Sequence, residues 1–218
     1  MDVKANLHRY LSHVELTARY ASFDYCYNYF QDFYERDRLH DLTTPEKMQE
    51  SCLQIGFYLA SWGMFRGRSF LLRRSVKYFE PLVRALANAP REAWMIDVDT
   101  YTDNNITVLL HCHRLITGAV GQGRPVTSTL TTKIMLGVFG NIPAFDRYLR
   151  RGLGIHTLNR KSLRTIASFY GEHQAIIDQQ EIFTLDYASP QSEPPRYTHR
   201  RYPIAKIIDM IGFVEGRS

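Results

Sequence analysis

The sequence predicts an all-α protein, one compact domain built as two helical lobes that share a core. Three observations predict it. Apolar residues recur at helical spacing. Helix starts and stops are marked by Thr-Pro, Asn-Ala-Pro and Gly signals. No pair of alternating strands occurs, and no Asn-Gly or Asp-Gly hairpin turn. The 218 residues suffice for one sizeable core, and 44% hydrophobic residues is a globular composition.

Taken in order, residues 14–36 read as one amphipathic helix, with Tyr20, Phe23, Tyr27, Phe30 and Tyr34 on one stripe. A second helix starts at Thr44-Pro45-Glu46, where threonine caps and proline fits the first turn, and runs to about Ala60. It ends in the Gly- and Arg-bearing loop 61–68. A third covers 70–88 and stops at Asn88-Ala89-Pro90. Val98 to Tyr101 reads as a short extended piece, and a fourth helix covers 102–117. The glycine-bearing stretch 118–125 breaks it, and helices follow over 127–139, from Asp146, and over 161–180. Residues 189–201, SPQSEPPRYTHRR, read as a proline-rich basic loop before a last helix from Tyr202-Pro203 to about Gly212.

Composition narrows the function classes. Formal net charge is +5, and arginines cluster at Arg66/Arg68, Arg73/Arg74, Arg147/Arg150/Arg151 and Arg196/Arg200/Arg201. A basic balance favours polyanions such as nucleic acid, against the plain alternative of a solvated basic surface. Aromatics reach 13%, which suits a thick core or a surface that stacks on flat ligands. The cysteines, Cys26, Cys52 and Cys112, are three and widely spaced, so neither a disulfide framework nor a thiolate zinc site is expected. No signal core and no membrane-length apolar run occurs, so a cytoplasmic location is expected; a monomer is expected as well.

The segment with a specific chemical signature is 139–154, FGNIPAFDRYLRRGLG. An apolar-faced helix ends at Phe139-Gly140, and a tight loop with Pro143 follows. Asp146 then opens a helix whose first turns carry Arg147, Arg150 and Arg151. A carboxylate at a helix start accepts backbone N–H bonds and sees the positive end of the helix dipole, so Asp146 is a helix cap in any reading.

This order resembles the helix-hairpin-helix DNA glycosylase superfamily. The matching positions are Phe139, Gly140, Pro143, Phe145, Asp146, Arg150 and Gly154. The resemblance covers 16 residues closely, and about 37 with the hairpin upstream. It implies that residues 118–125 form the hairpin, with Gly118, Gly121 and Gly123 cradling a DNA phosphate. Arg124, Thr127, Ser128 and Thr129 then add backbone contacts, with Arg66, Arg68, Arg147 and Arg150 as further DNA-binding residues. It implies that Asp146 stabilises positive charge on the sugar as the N-glycosidic bond breaks, or positions a water. The chain departs from the family in three places. No cysteine cluster stands where some members carry an iron–sulfur site. No proline precedes the first hairpin glycine, and Thr129 stands where strand-cleaving members carry a lysine. Lys133, one helical turn later, is therefore either a nucleophile or a phosphate contact, and a glycosylase without strand cleavage is expected. The extruded base needs a pocket that stacks on it and reads its edge. Candidates are Trp62, Tyr20, Tyr27 and Phe145, with Asp24 as an edge reader; core packing is the alternative for each aromatic.

The base excised stays open at this point. For a divergent member the resemblance leaves open an unusual base, a hypermodified phage pyrimidine such as glucosylated hydroxymethylcytosine included, with antiviral defence as the alternative to repair. The other classes carried forward are a non-catalytic helical DNA-binding protein and a toxin–antitoxin or defence interaction module. His111-Cys112-His113 does not read as a chelate, because residues two apart on a helix face different ways, and no metal or cofactor is implied. Neither a Gly-x-Ser-x-Gly elbow nor a phosphate-binding Gly-Lys-Ser/Thr loop is present.

Overall fold

A computed structural model describes residues 1–217. Among these, nine α-helices and one two-stranded sheet form the fold. The helices are α1 Val3–Leu11, α2 Ser22–Glu35, α3 Pro45–Ser61, α4 Glu80–Ala87, α5 Asp103–Gly121, α6 Ser128–Phe139, α7 Arg147–Leu153, α8 Arg160–Asp178 and α9 Ile204–Glu215. Two helices are central. α6 is buried on all sides from Leu130 to Phe139 and packs against α2, α3 and α5. α9 is buried from Ala205 to Val214 and packs against α1, α7 and α8. One contiguous apolar cluster spans both sets. No helix among the described residues is long and apolar enough to cross a membrane.

Several element boundaries differ from the sequence reading, each for a physical reason. The predicted helix 14–36 is shorter and has α1 ahead of it, capped by Asp2 accepting from Ala5 N (3.0 Å). Between α1 and α2 the chain turns back, and the Tyr25 hydroxyl donates to Leu16 O (2.8 Å) to close the loop. The predicted helix 70–88 is interrupted by Pro81. A proline inside a helix lacks its donor and clashes with the preceding turn. The chain instead makes two short 3₁₀ turns, Phe70–Arg73 and Val76–Phe79, and α4 starts with Pro81 in its first turn. Val98–Thr100 is also a 3₁₀ turn rather than an extended piece, capped by Asp97.

The expected glycine-rich hairpin is displaced. α5 continues through Gly118 to Gly121 and ends at Gln122, which takes the left-handed conformation (φ 48°). The reversal is therefore 122–126, and it is tight: a Cβ on Gly121 would stand 2.9 Å from Val126 Cγ2.

The proline-rich segment contributes a strand pair that the sequence reading did not contain. β1 Phe183–Leu185 pairs antiparallel with β2 Tyr197–Arg201, with an irregular register between Phe183↔Arg201 and Leu185↔Tyr197. The side chains of Thr184 and Thr198 hydrogen-bond across it. The connecting segment is closed by Arg196 N donating to Ser189 Oγ (2.8 Å). The strands are short, and β2 leaves alternate residues exposed, so their apolar signal is weak.

Candidate functional site

The loop between α6 and α7 is held by a set of buried hydrogen bonds. Gly140 turns the chain out of α6 at φ 69°, with Pro203 and Tyr27 packed where a Cβ would be. Asn141 is buried; its side-chain amide donates to Ala93 O (2.7 Å) and its backbone carbonyl accepts from the Tyr101 hydroxyl (2.7 Å). Ala144 N donates to Asp209 Oδ1 (3.0 Å), and Phe145 N to Thr132 Oγ1 (2.8 Å). The Thr129 hydroxyl donates to Phe145 O (2.8 Å). These bonds leave Asp146 little freedom at the start of α7.

Asp146 divides its two oxygens between two tasks. Oδ1 caps α7, accepting from Tyr148 N (2.8 Å) and Leu149 N (3.0 Å). Oδ2 faces the ammonium of Lys133 at 3.5 Å. The lysine is 6% exposed and the aspartate 16%, so the pair is partly dry. The Lys133 ammonium also lies 5.2 Å from the centre of the Trp62 ring. Both groups line a cavity of about 460 Å³ between the end of α3 and the start of α7, whose rim carries Arg19, Arg66, Arg147, Arg150 and Arg217. Asp146 is its one carboxylate. Phe213 and Tyr148 complete the apolar wall, edge-to-face at 5.1 Å. The Arg147 guanidinium bonds the Tyr148 hydroxyl and holds that phenol below its ordinary pKa.

Beneath the cavity lies a second layer of buried charge. Lys206 is 1% exposed and donates to the Tyr10 hydroxyl (2.8 Å). It stands 3.8 Å from Asp209 and 5.2 Å from the Trp62 ring centre. Burial pushes the Lys206 ammonium down to about 8 against the pull of Asp209 and Asp24. Burial pushes the Asp209 carboxyl up, opposed by Lys206 and Lys133 and reinforced by Asp146. Trp62 is thus flanked by Lys133 and Lys206, with Arg19 at 5.6 Å.

Of the residues the sequence singled out, Asp146, Lys133, Trp62, Arg66, Thr129, Arg147 and Arg150 come together around this cavity. Tyr20 stands behind Trp62, edge-to-face at 5.6 Å, and lines a neighbouring cavity of about 320 Å³. Arg68 is exposed outside the lining. Thr127 caps α6, and with Ser128, Gly123 and Arg124 it is exposed at the α5–α6 turn.

The remaining placements are corrections. Asp24 cannot read a ligand, because it is fully buried and its oxygens accept from Leu185 N (2.8 Å) and the Tyr202 hydroxyl (2.6 Å). Burial pushes its carboxyl up to about 6. Phe145 is core, and Tyr27 stacks on Phe23 (5.2 Å) away from the cavity. Gly118 and Gly121 lie inside α5, where their carbonyls accept from Gln122 N and Arg124 N, and they form no phosphate-binding turn. The Arg196/Arg200/Arg201 cluster is structural: Arg200 pairs with Asp32 and Glu35, and Arg201 with Glu181.

Arg19, Tyr148, Phe213 and Arg217 belong to the cavity and were not singled out as site residues. Tyr148 lies within the 139–154 segment, but nothing local marks the other three. A larger cleft, about 560 Å³, runs between α2 and α3. Four of its charges pair within it, Lys47 with Glu50 and Arg38 with Asp41. No group of three or more His, Cys, Asp or Glu that could hold a metal ion occurs among the described residues. No family model, curated protein or solved structure matches the chain.

Proposed function

We propose that the protein is a DNA N-glycosylase that removes a modified base, with Asp146 as the catalytic carboxylate. The observation that carries this reading is Asp146 itself, a half-buried carboxylate whose free oxygen meets Lys133 in an arginine-rimmed cavity beside an aromatic ring. The arginines suit the phosphates of an extruded nucleotide, and Trp62 suits its base. As the bond between C1′ and the base nitrogen breaks, the electron pair leaves with the base. Positive charge grows on the sugar, and the carboxylate stabilises it in a partly dry site. Water then adds to C1′ and loses a proton, leaving an abasic sugar.

Lys133 acts here as the charge partner of Asp146, so the enzyme releases the base without cutting the strand. This agrees with the resemblance of 139–154 to helix-hairpin-helix glycosylases. A volume of about 460 Å³ leaves room for a bulky substituent on the base, which favours a hypermodified pyrimidine.

The test is incubation with a panel of modified DNAs, glucosylated phage DNA included, followed by detection of abasic sites. Asp146→Asn keeps an oxygen to cap α7, so the fold and DNA binding persist. Base release should fall at least about a hundredfold, the scale of removing one preorganised electrostatic group. Full activity in that variant would remove Asp146 from the mechanism. Borohydride should trap no adduct through Lys133. Salt-dependent DNA binding without base release from any substrate would favour a non-catalytic DNA-binding protein.

A further inference from the structure

Six of the chain's 21 arginines are held by carboxylates. Arg38, Arg91, Arg160, Arg164, Arg200 and Arg201 each pair with a carboxylate. Of the fifteen that pair with none among the described residues, Arg66, Arg68, Arg73, Arg74 and Arg124 lie on or against one connected strip. Arg66 is on the cavity rim. From there the chain runs through the 3₁₀ turns after Ser69, anchored by fully buried Leu71. At its far end Tyr78 clamps the α5–α6 turn. Its hydroxyl donates to Val120 O (3.0 Å), and its carbonyl accepts from Gln122 Nε2 (2.9 Å). Arg124 is exposed on that turn.

Arg74 lies between the two ends, its guanidinium 5.0 Å from the centre of the Tyr78 ring and its Nε sealed without a partner. Arg68 and Arg73 are exposed. Unpaired guanidinium groups spaced along a rigid strip repel one another, and that cost is offset when a polyanion lies across them.

We propose that residues 66–78 are a track for the sugar–phosphate backbone of one DNA strand, leading from the cavity to the α5–α6 turn, with Arg68 and Arg73 each contacting a phosphate. This rests on the reading that DNA is the substrate, and it adds a surface that the 139–154 segment does not contain. If the occupant is instead an acidic protein, the affinity for DNA should not depend on Arg68 and Arg73.

Duplex DNA binding is measured over a salt series for the wild type, for R68Q/R73Q and for R160Q/R164Q as a control on paired arginines. Thermal melting confirms that the variants fold. Each phosphate contact contributes about 0.9 to the slope of log affinity on log salt, so R68Q/R73Q should lower the slope by about 2. Between 50 and 200 mM salt this changes the wild-type-to-variant affinity ratio about tenfold. The control should keep the wild-type slope. An unchanged slope in R68Q/R73Q, or an equal loss in the control, overturns the track while leaving base release untouched. A lowered slope in a protein that never releases a base keeps the track and removes the catalytic reading. A wild type without salt-dependent DNA affinity removes both.

Discussion

Lys206 offers a measure of how dry the buried layer next to Trp62 is. Its ammonium is held at about 8, against about 10.4 in an unfolded chain. The charged groups that face it are Asp209 and Asp24, which raise the value, and Lys133, which lowers it; desolvation dominates. Between pH 8 and pH 10 the unfolded chain retains a proton that the folded chain has released. Stability therefore rises with pH in that window, by about 2 kcal/mol for this group. Lys206→Met preserves length and bulk and removes the titration. Urea unfolding at pH 8, 9 and 10 should show the wild type gaining about 2 kcal/mol on the variant across the window. Buried groups out of contact with Lys206, such as Tyr58 and Cys26, whose own values burial raises, act in the opposite direction in both proteins and cancel in the difference. Asp209→Asn removes the attraction that holds the ammonium up, so the rise should begin below pH 8, while the Asn oxygen still accepts from Ala144 N. Asp209→Ala loses that bond too and costs a further 1–3 kcal/mol or so. A wild-type-minus-K206M difference that stays constant from pH 8 to pH 10 would refute the claim that this lysine is desolvated.

Two further outcomes test the framework that holds Asp146. Gly140→Ala places a Cβ 2.6 Å from Pro203 Cγ and 2.9 Å from Tyr27 Cε2 at a left-handed residue; it should cost about 2–4 kcal/mol in urea unfolding, and a cost near zero would show that the loop yields freely. Asp97 accepts from Ile204 N (2.6 Å) and Ala205 N (2.9 Å) at the start of α9, and burial pushes its carboxyl up to about 7. The folded chain keeps a proton there that the unfolded chain loses from about pH 4, so stability falls as pH rises towards 7. Asp97→Asn should remove about 3 kcal/mol of that fall, and parallel pH profiles for wild type and variant would contradict it.

The parts of the fold that can be read from the sequence are those whose causes are local. Thr127, Gly140, Asp146 and Gly154 each act within a turn of their own position, as two caps and two left-handed stops. The helices α6 and α7 follow from them. Pro81 is equally local, and its position in the first turn of α4 excludes a helix running through 70–88. Glycines are a weaker signal: Gly118 and Gly121 suggest a turn, yet the last turn of α5 accommodates both. The acidic residues are the reverse case. Asp24, Asp97 and Asp209 resemble ordinary surface or site carboxylates in sequence, and each instead satisfies a backbone N–H between 65 and 161 residues away. Such partners carry no local mark, and neither does the presence of Arg19, Phe213 and Arg217 at the cavity.

The helix-cap and catalytic readings of Asp146 do not compete, because the two oxygens are used separately. A cap needs one acceptor aimed along the helix axis, and Oδ1 supplies it to Tyr148 N and Leu149 N. Oδ2 is left facing Lys133 and the cavity. Capping fixes the carboxylate's orientation before any ligand arrives, which is the condition under which an electrostatic group stabilises developing charge without reorganising. A carboxylate placed only to cap would be as well served by an exposed site free of a buried lysine. Enclosing Lys133 in a nearly dry position costs desolvation that capping does not require. The lysine, rather than the cap, is therefore what separates this aspartate from an ordinary helix start.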